Sequence, residues 1–447
     1  MKIENLGEWQ RTHYSKDITP EMDGQEVIVM GWCRELRDIG KLKFIKLADR
    51  EGFLQITAKK GEVLPKVLEK IEMLGREFVI AVKGTVKANK EAPRGVEIIP
   101  IEIKILNTSE KPLPLEIETK KTPAELKTRL DARVLDLRKP ENLAIFKIQA
   151  KIIEGMQIFL NNNGFVQVYT PSLLGGSSEG GSDMFEVPYF GMKAYLRQDP
   201  QLHRELLIAA GFEKIYDIGP SWRAEKSHTT HHLCEHRTCA PEISFIKDET
   251  DTIKLEENLV VETIRHVIKN CEEELKTLKI DLALPKQPFP ELRFPKVYDI
   301  LNELKVKVKC GEDLGKEDYT ALWEYVADNY GSDFFFVNRF PFAVKPFYVM
   351  RVDEDPKWAR SVDLVFKGME MSSGGQREHR YGELVKNIKE KKMKLENFKW
   401  FTEFFKYGIP PMGGFSIGIE RFTMKLLNLP NIKEAVLFAR DPERLLP

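Results

Sequence analysis

Three segments of this 447-residue chain carry side chains whose types and spacing suit phosphate chemistry. In SWRAEKSHTTHHLCEHRTCAPEISFI, Arg223 and Glu225 precede a polar, histidine-rich stretch that ends in a strand-like run. A strand, loop, strand unit with an arginine at its start can hold a phosphate through paired N–H donors; a charged hairpin has the same pattern. In DLVFKGMEMSSGGQREHR, Glu370 and Ser373 offer oxygens to a hard cation, and Arg377 follows a glycine pair. Magnesium on phosphates takes one or two protein oxygens and keeps waters, so this sparse set suffices, although a turn with solvated charges reads alike. In GGFSIGIERFTMKLL a glycine-bearing strand runs into a helix with Arg421 near the junction. Alone, that third segment is weak evidence.

The elements that must position these residues follow from hydrophobic patterning. From Val27 to about Ile105, the runs VIVMGWC, KFIKLA, GFLQITA, FVIAVKGTV and VEIIPIEI alternate with polar or Gly-containing turns, which predicts about five strands and a small barrel of the OB type. A Pro- and charge-rich stretch, KPLPLEIETKKTPAELKTRLDARVLDLRKPE, follows and reads as a hinge. Beyond it Ile145, Ile148, Ile152, Met156, Phe159 and Leu160 recur at helical spacing, with Gly164 as the stop and FVQVYTP as the next strand. The remainder mixes strand-like runs (KIYDIGPSW, EISFI, FFFVNRF, FYVMRV, SVDLVF) with helical ones, LEENLVVETIRHVIKNCEEEL being the clearest, as in a large α+β domain.

Composition bounds the reading. Basic and acidic residues number 69 each, so net charge is zero, which argues against indiscriminate coating of nucleic acid but not against binding by a local basic patch. No run approaches the length of a membrane span, and the start lacks a signal layout, which predicts a cytoplasmic protein with no membrane partner. The five cysteines are odd in number and scattered, as free thiols are. His228, His231, His232, His236, Cys234 and Cys239 fall within twelve residues, but their spacings are not those of a clean zinc site, and a metal reading there stays subordinate.

In this order and spacing, the segments resemble the class II aminoacyl-tRNA synthetases, and within them the aspartyl enzymes of archaeal and eukaryotic type. The resemblance spans nearly the whole chain, through RTHYS, LDARVLDLRKPE, SSEGGSDMF, the RAE segment, SSGGQREHR, YGIPPMGGFSIGIER and LFARDPERLLP. It implies an OB-fold anticodon-binding domain over 1–107, a hinge over 108–138, and a catalytic domain over 139–447 built on an antiparallel sheet flanked by helices. The implied reaction joins L-aspartate to tRNA(Asp), with tRNA(Asn) as a further acceptor, through an aminoacyl adenylate formed from ATP with Mg2+. A homodimer is implied through motif 1, the helix plus GFVQVYTPSL with Pro171.

The resemblance also assigns roles. Arg223 meets the α-phosphate. Ala224, Glu225, His231, His232 and Leu233 line the ATP site, and Gly418, Ile419, Glu420 and Arg421 hold its far side. Glu370 and Ser373 bind the metal, and His236 is placed for stacking on adenine. The amino-acid pocket takes Arg377 for the side-chain carboxylate, Gln201 and Arg204 beside it, Ser373 nearby, and Glu179 in a glycine-bearing lid. Such a site works by charge and alignment more than by a protein base. On the barrel, Arg37, Phe44 and Gln55 meet the anticodon, with Phe44 stacking on the central base; KFIKLA taken alone also permits Phe44 as core.

Several positions depart from the family pattern. Arg204 stands for a lysine, Ala240 for an aspartate two residues before Glu242, Asp199 for a serine, His231 for an arginine and Met412 for a histidine. Asp199 is expected to supply the carboxylate missing at Ala240; the alternative is a solvated loop residue and another amino acid. Asparagine or an unusual amino acid is therefore a second specificity, and a tRNA-binding or amino-acid-sensing paralogue without catalysis a third reading, disfavoured by Arg223, Glu370 and Arg421.

Overall fold

The computed structural model describes residues 3–118, 124–176, 184–224, 226 and 229–446. The chain divides into two compact units, 1–143 and 144–447.

In the first unit, the five apolar runs become five strands, β1 (Glu26–Ile39), β2 (Leu42–Asp49), β3 (Gly52–Lys59), β4 (Val79–Ala88) and β5 (Val96–Asn107). They close into a barrel in the order β1-β2-β3-β5-β4. Alternation decides which side chains fill it: Ile45 and Leu47 on β2 are buried within, while Phe44 and Lys46, which alternate with them, face outward. A helix over Pro65–Met73, with its proline in the first turn where no N–H is needed, adds Val67 and Ile71 to the same core.

The segment expected as a hinge contains two short helices, Leu126–Asp131 and Arg133–Asp136. Their lack of apolar periodicity has a cause, because their order rests on charge. Asp136 is fully buried and its carboxylate meets Arg133 at 2.9 Å, Lys139 at 3.1 Å and Arg129 at 3.2 Å.

The second unit is built on an eight-stranded sheet ordered β12-β13-β14-β15-β16-β11-β10-β6. These strands are β6 (Val166–Gln167), β10 (Lys214–Trp222), β11 (Glu235–Ser244), β12 (Glu291–Arg293), β13 (Phe334–Asn338), β14 (Ser361–Phe366), β15 (Met369–Arg377) and β16 (Met412–Gly418). All neighbours run antiparallel except the outer pairs β6/β10 and β12/β13. A small sheet of β7 (Leu173–Leu174), β9 (Met192–Leu196) and β8 (Glu186–Tyr189) stands apart.

One face of the large sheet packs on two long helices. The helix over Pro140–Asn162 buries Ile145, Ile148, Ile152, Met156 and Leu160, and the chain turns at Gly164 with φ of 79°. The helix over Glu249–Asn270 starts at Asp248, whose carboxylate accepts from the Thr250 N–H, and buries Ile253, Val260, Ile264 and Val267. Its predicted continuation through CEEEL breaks at Cys271, and a separate helix covers Glu272–Leu278.

Two predicted strands are corrected. FVQVYTP pairs as a strand only at Val166–Gln167: the Val168 N–H still reaches the Tyr216 carbonyl at 2.9 Å, but the Thr170 N–H turns to the Asp217 carboxylate at 3.2 Å instead of a backbone partner. FYVMRV is not a strand: Phe347, Tyr348, Val349 and Met350 are all buried, without alternation, after Pro346. That run makes only single bridges, Val349 to Arg377 and Arg351 to Ala359.

Candidate active site

The site lies on the other face of the large sheet, in a cavity of about 420 Å³. Its floor is the central run β15-β16-β11, where Ser373 pairs with Ser416, and Gly414 pairs with both Gly375 and Glu242. β15 carries Glu370 and Ser373, three residues apart, which strict alternation would send to opposite faces. A β-bulge changes the count: Ser372 opposes Leu364 while Glu370 opposes Val365, so Met371 is the extra residue. Glu370 and Ser373 therefore both line the cavity, and Ser372 turns to the other face, where its hydroxyl donates to Glu256.

Arg223, Glu370 and Arg421, from three distant parts of the chain, line this one cavity. Arg223 follows β10, and its N–H donates to the Cys234 carbonyl at 3.0 Å, closing the hairpin to β11. Arg421 lies in the first turn of the helix Ile419–Leu426, capped by Gly418, and its Nη1 sits 3.3 Å from the Glu370 carbonyl and 3.7 Å from Oε1. Burial, then the neighbouring Asp363, pushes the Glu370 carboxyl upward, against Arg421, Lys345 and Arg223. The cationic side of the cavity is thus set for anionic oxygens before any arrive.

His231, His232, Leu233, Gly418 and Glu420 line the same cavity. Burial lowers His231 to about 4 and His236 to about 3, and the Arg223 and Arg421 charges deepen the latter shift, so both rings are neutral at pH 7. Glu420 is tied down, with Oε2 accepting the Arg237 N–H at 2.9 Å. Ile419 is packed in the core, and Ala224 is not among the lining residues. Glu179, Glu225 and His228 lie outside the described residues.

The described members of the histidine- and cysteine-rich stretch do not gather as a metal site. β11 begins at Glu235, so His236 and Cys239 lie on a strand three residues apart and face opposite ways. His236 lines the cavity, whereas Cys239 is in the core, its thiol pushed up to about 12 by burial. Among the described residues no group of three or more His, Cys, Asp or Glu side chains is arranged to hold a metal ion.

The deeper end of the cavity is a buried polar cluster. Arg377 Nε donates to Glu242 Oε1 at 2.8 Å, and Arg204 Nε approaches Glu242 Oε2 at 3.4 Å. Arg204 also donates to the Gln201 side-chain oxygen and stands 3.2 Å from Asp199 Oδ1. Asp199 is a wall residue, its side chain 17% exposed. Burial opposes its charge, yet Arg204, the Ser416 hydroxyl, Arg377 and Arg223 hold its carboxyl below the usual range. Ala240 is buried on β11, and Met412 is core.

The sequence reading missed Asp363, Lys345, Tyr348 and Ser416. Asp363, on β14 opposite Ser373, accepts the Ser373 hydroxyl at 2.7 Å, the Tyr319 hydroxyl at 2.9 Å and the Lys345 ammonium at 3.1 Å. A lone carboxylate inside the apolar run SVDLVF was the available signal. Asp363, Glu370 and Ser373 are hard oxygen donors on adjacent strands, the chemistry that Mg2+ prefers.

On the barrel a groove of about 860 Å³ is lined by Arg37, Phe44 and Gln55. Its floor is Glu97, 3% exposed, which accepts from Thr57, from Gln55 Nε2 at 3.1 Å and from Asn89 Nδ2 at 3.0 Å. The outward position of Phe44 on β2 removes the core reading of that ring.

No helix among the described residues is long and apolar enough to cross a membrane. No disulfide joins any of the five cysteines.

Residues 125–442 match the family described as tRNA synthetases class II (D, K and N), and residues 27–106 match the OB-fold nucleic acid binding domain. The aspartate–tRNA(Asp) ligase of Pyrococcus furiosus is 44% identical over 98% of this chain and all of its own. The aspartate–tRNA(Asp/Asn) ligase of Methanocaldococcus jannaschii is 43% identical over 99% of this chain and all of its own. Among solved structures, asparaginyl-tRNA synthetase from Pyrococcus horikoshii complexed with asparaginyl-adenylate superposes with a TM-score of 0.92 at 32% identity, covering 98% of this chain and all of that one. The chain belongs to the class II aminoacyl-tRNA synthetases of this group, and within it to the aspartate–tRNA ligases.

Proposed function

We propose that the chain activates L-aspartate with ATP and passes the aspartyl group to tRNA(Asp), with tRNA(Asn) as a further acceptor. The observation that carries this reading is the convergence of Arg223, Glu370 and Arg421 on one cavity whose deep end holds Arg377 and Asp199. The amino-acid carboxylate must reach the α-phosphate against like-charge repulsion, and in a dry cavity fixed guanidiniums offset that repulsion without reorganising. Arg223 meets the α-phosphate, Arg421 the far phosphates, and His236, neutral and at the wall, offers a flat face to the base. Glu370, Ser373 and Asp363 would hold Mg2+, which supplies charge neutralisation on the phosphate oxygens.

Arg377 takes the substrate side-chain carboxylate, and Asp199 takes the α-ammonium from the wall opposite Ala240. The two neighbouring charges suit a substrate that carries both signs. The barrel groove, with Phe44 outward and Gln55 beside buried Glu97, supports anticodon binding by stacking and base-edge hydrogen bonds. Exposed Ile158, Val166, Tyr169 and Leu173 on and after the Pro140–Asn162 helix support a homodimer through that surface. Cysteines outside any disulfide suit a cytoplasmic location.

The test is ATP–pyrophosphate exchange with aspartate, asparagine and related acids, followed by charging of both tRNAs. Aspartate should support exchange at least about a hundredfold better than asparagine, since a pocket built to pair one charge rejects the neutral isostere. Exchange that prefers asparagine overturns the assignment. In an Asp199→Ala variant the aspartate KM should rise; an unchanged value removes the role given to Asp199.

A further inference from the structure

Behind the amino-acid pocket lies a carboxyl that the activation chemistry above does not use. Glu205, on the helix Gln201–Ala209, is fully buried. Its Oε1 accepts Gln201 Nε2 at 2.9 Å, and its Oε2 is buried with no hydrogen-bond partner. The same Gln201 amide stands 3.3 Å from both oxygens of Glu242. Three carboxyl groups, Asp199, Glu205 and Glu242, thus share one cluster in which two guanidiniums, Arg204 and Arg377, make the ion pairs, while Arg223 acts on Asp199 from the phosphate side of the cavity.

The charge count decides what the third carboxyl does. Asp199 and Glu242 already balance Arg204 and Arg377. A further negative charge on Glu205 would leave the cluster with an excess anion, unsolvated, beside the place where the substrate carboxylate must enter, and like charges in such a setting disfavour each other strongly. The groups facing Glu205 are Gln201 and Arg204 on its own helix, Glu242 on β11 and Arg377 on β15. Burial first, and then Glu242, push its carboxyl up to about 8, against the two arginines and Gln201. Of the other elements packed on this helix, β10 carries Asp217, which is held by Arg197, and the segment 403–407 carries Glu403 and Lys406, which pair with each other. Cys239 on β11 stays a neutral thiol.

We propose that Glu205 is a positioning residue that must hold a proton for the pocket to accept a dicarboxylic amino acid. Protonated, it leaves the cluster balanced, and its unpartnered oxygen offers an O–H donor to the carboxylates around it. Ionised, it competes for the guanidiniums and repels the incoming side chain. Binding of aspartate above the titration of Glu205 then takes up one proton from solution.

This inference rests on aspartate being the substrate, and the experiment separates the two. Exchange kinetics with aspartate are measured on the full-length enzyme from about pH 6.5 to about pH 9.5, alongside Glu205→Gln, which keeps the oxygen that Gln201 bonds. In the wild type the aspartate KM should be level below about pH 7 and climb about tenfold per pH unit above about 8, while the ATP KM does not share the climb. The Gln variant should show a level aspartate KM across the range with kcat within about twofold of wild type. A wild-type KM that stays level to about pH 9.5, or a Gln variant that keeps the climb, overturns the role of Glu205 and leaves aspartate activation standing. No exchange with aspartate at any pH overturns both. Calorimetry of aspartate binding to the wild type in buffers of different ionisation heat needs no variant: proton uptake should approach one near pH 9, and its absence refutes the proposal.

Discussion

Arg377 and Glu242 come from strands that are not neighbours, β15 and β11, yet their side chains meet at 2.8 Å over the backbone of Gly414 on the strand between. A Cβ at Gly414 would lie 2.5 Å from Glu242 Oε2 and 2.2 Å from the Pro241 carbonyl. The pair exists because the strand between them carries no side chain there.

Gly414→Ala should therefore displace Glu242 and with it Arg377. Overpacking of this kind costs about 1–3 kcal/mol. We expect a lower melting temperature and an aspartate KM raised by about a hundredfold or more, with the ATP KM changed far less. Thermal denaturation and exchange kinetics measure both, and a variant with wild-type aspartate KM would remove Gly414 from the site's architecture.

Arg377→Lys keeps the charge and loses the planar fork that spans Glu242. Its aspartate KM should rise by at least about tenfold with little change in the ATP KM. Arg377→Ala takes the shorter of two guanidinium contacts from buried Glu242, leaving it Arg204 and the Gln201 amide, and breaking the pair should cost up to about 3–5 kcal/mol of stability. If the Lys variant binds aspartate as tightly as wild type, a point charge suffices and the bidentate argument fails.

Phe44 faces outward, so Phe44→Ala should leave melting temperature and amino-acid activation almost unchanged. Loss of one stacked base is worth about 1–3 kcal/mol, hence a tRNA KM higher by roughly tenfold to a hundredfold. Charging kinetics against exchange kinetics check the split; a fall in exchange would show that the ring matters for folding.

Asp136 gives the first unit an acid-sensitive tie. Burial alone would raise its carboxyl, but Arg129 and Lys139 hold it below the usual range. The folded value lies under the unfolded one, so its stabilisation is complete above the ordinary carboxylate range near 4 and is lost as pH falls through the folded value. Asp136→Asn should lose about 3–5 kcal/mol at neutral pH, leaving buried cations uncompensated, and its stability should fall less steeply between about pH 5 and about pH 2. Urea denaturation against pH tests this, and equal acid slopes would rule out Asp136 as a contributor.

The barrel was legible because its strands are half-buried, and half-burial writes itself as alternation. The Pro140–Asn162 helix was legible for the analogous reason, with Ile145 to Leu160 repeating on one face. FYVMRV misled because a segment buried on all sides looks like a buried strand when only its composition is read. Arg223, Glu370 and Arg421 stood out because charged side chains at the joins of strand-like runs with polar or glycine-bearing stretches are conspicuous. Asp363 and Lys345 did not, since their partnership comes from cross-strand register and a distant loop, neither of which leaves a local mark. Nor could sequence alone reveal that Glu205 is the third carboxyl in a cluster whose ion pairs two guanidiniums make.

The doubled step at Met371 gives β15 two halves of opposite parity. Were the strand one residue shorter between Gly368 and Ser372, the Glu370 carboxylate would swing beneath the sheet toward Glu256, two acids meeting in an oily layer. Composition and hydropathy would scarcely register the loss, yet the nucleotide face would be missing an oxygen ligand. For this strand, competence is an odd-or-even property, and single-residue deletions, rather than substitutions, are where it is most fragile.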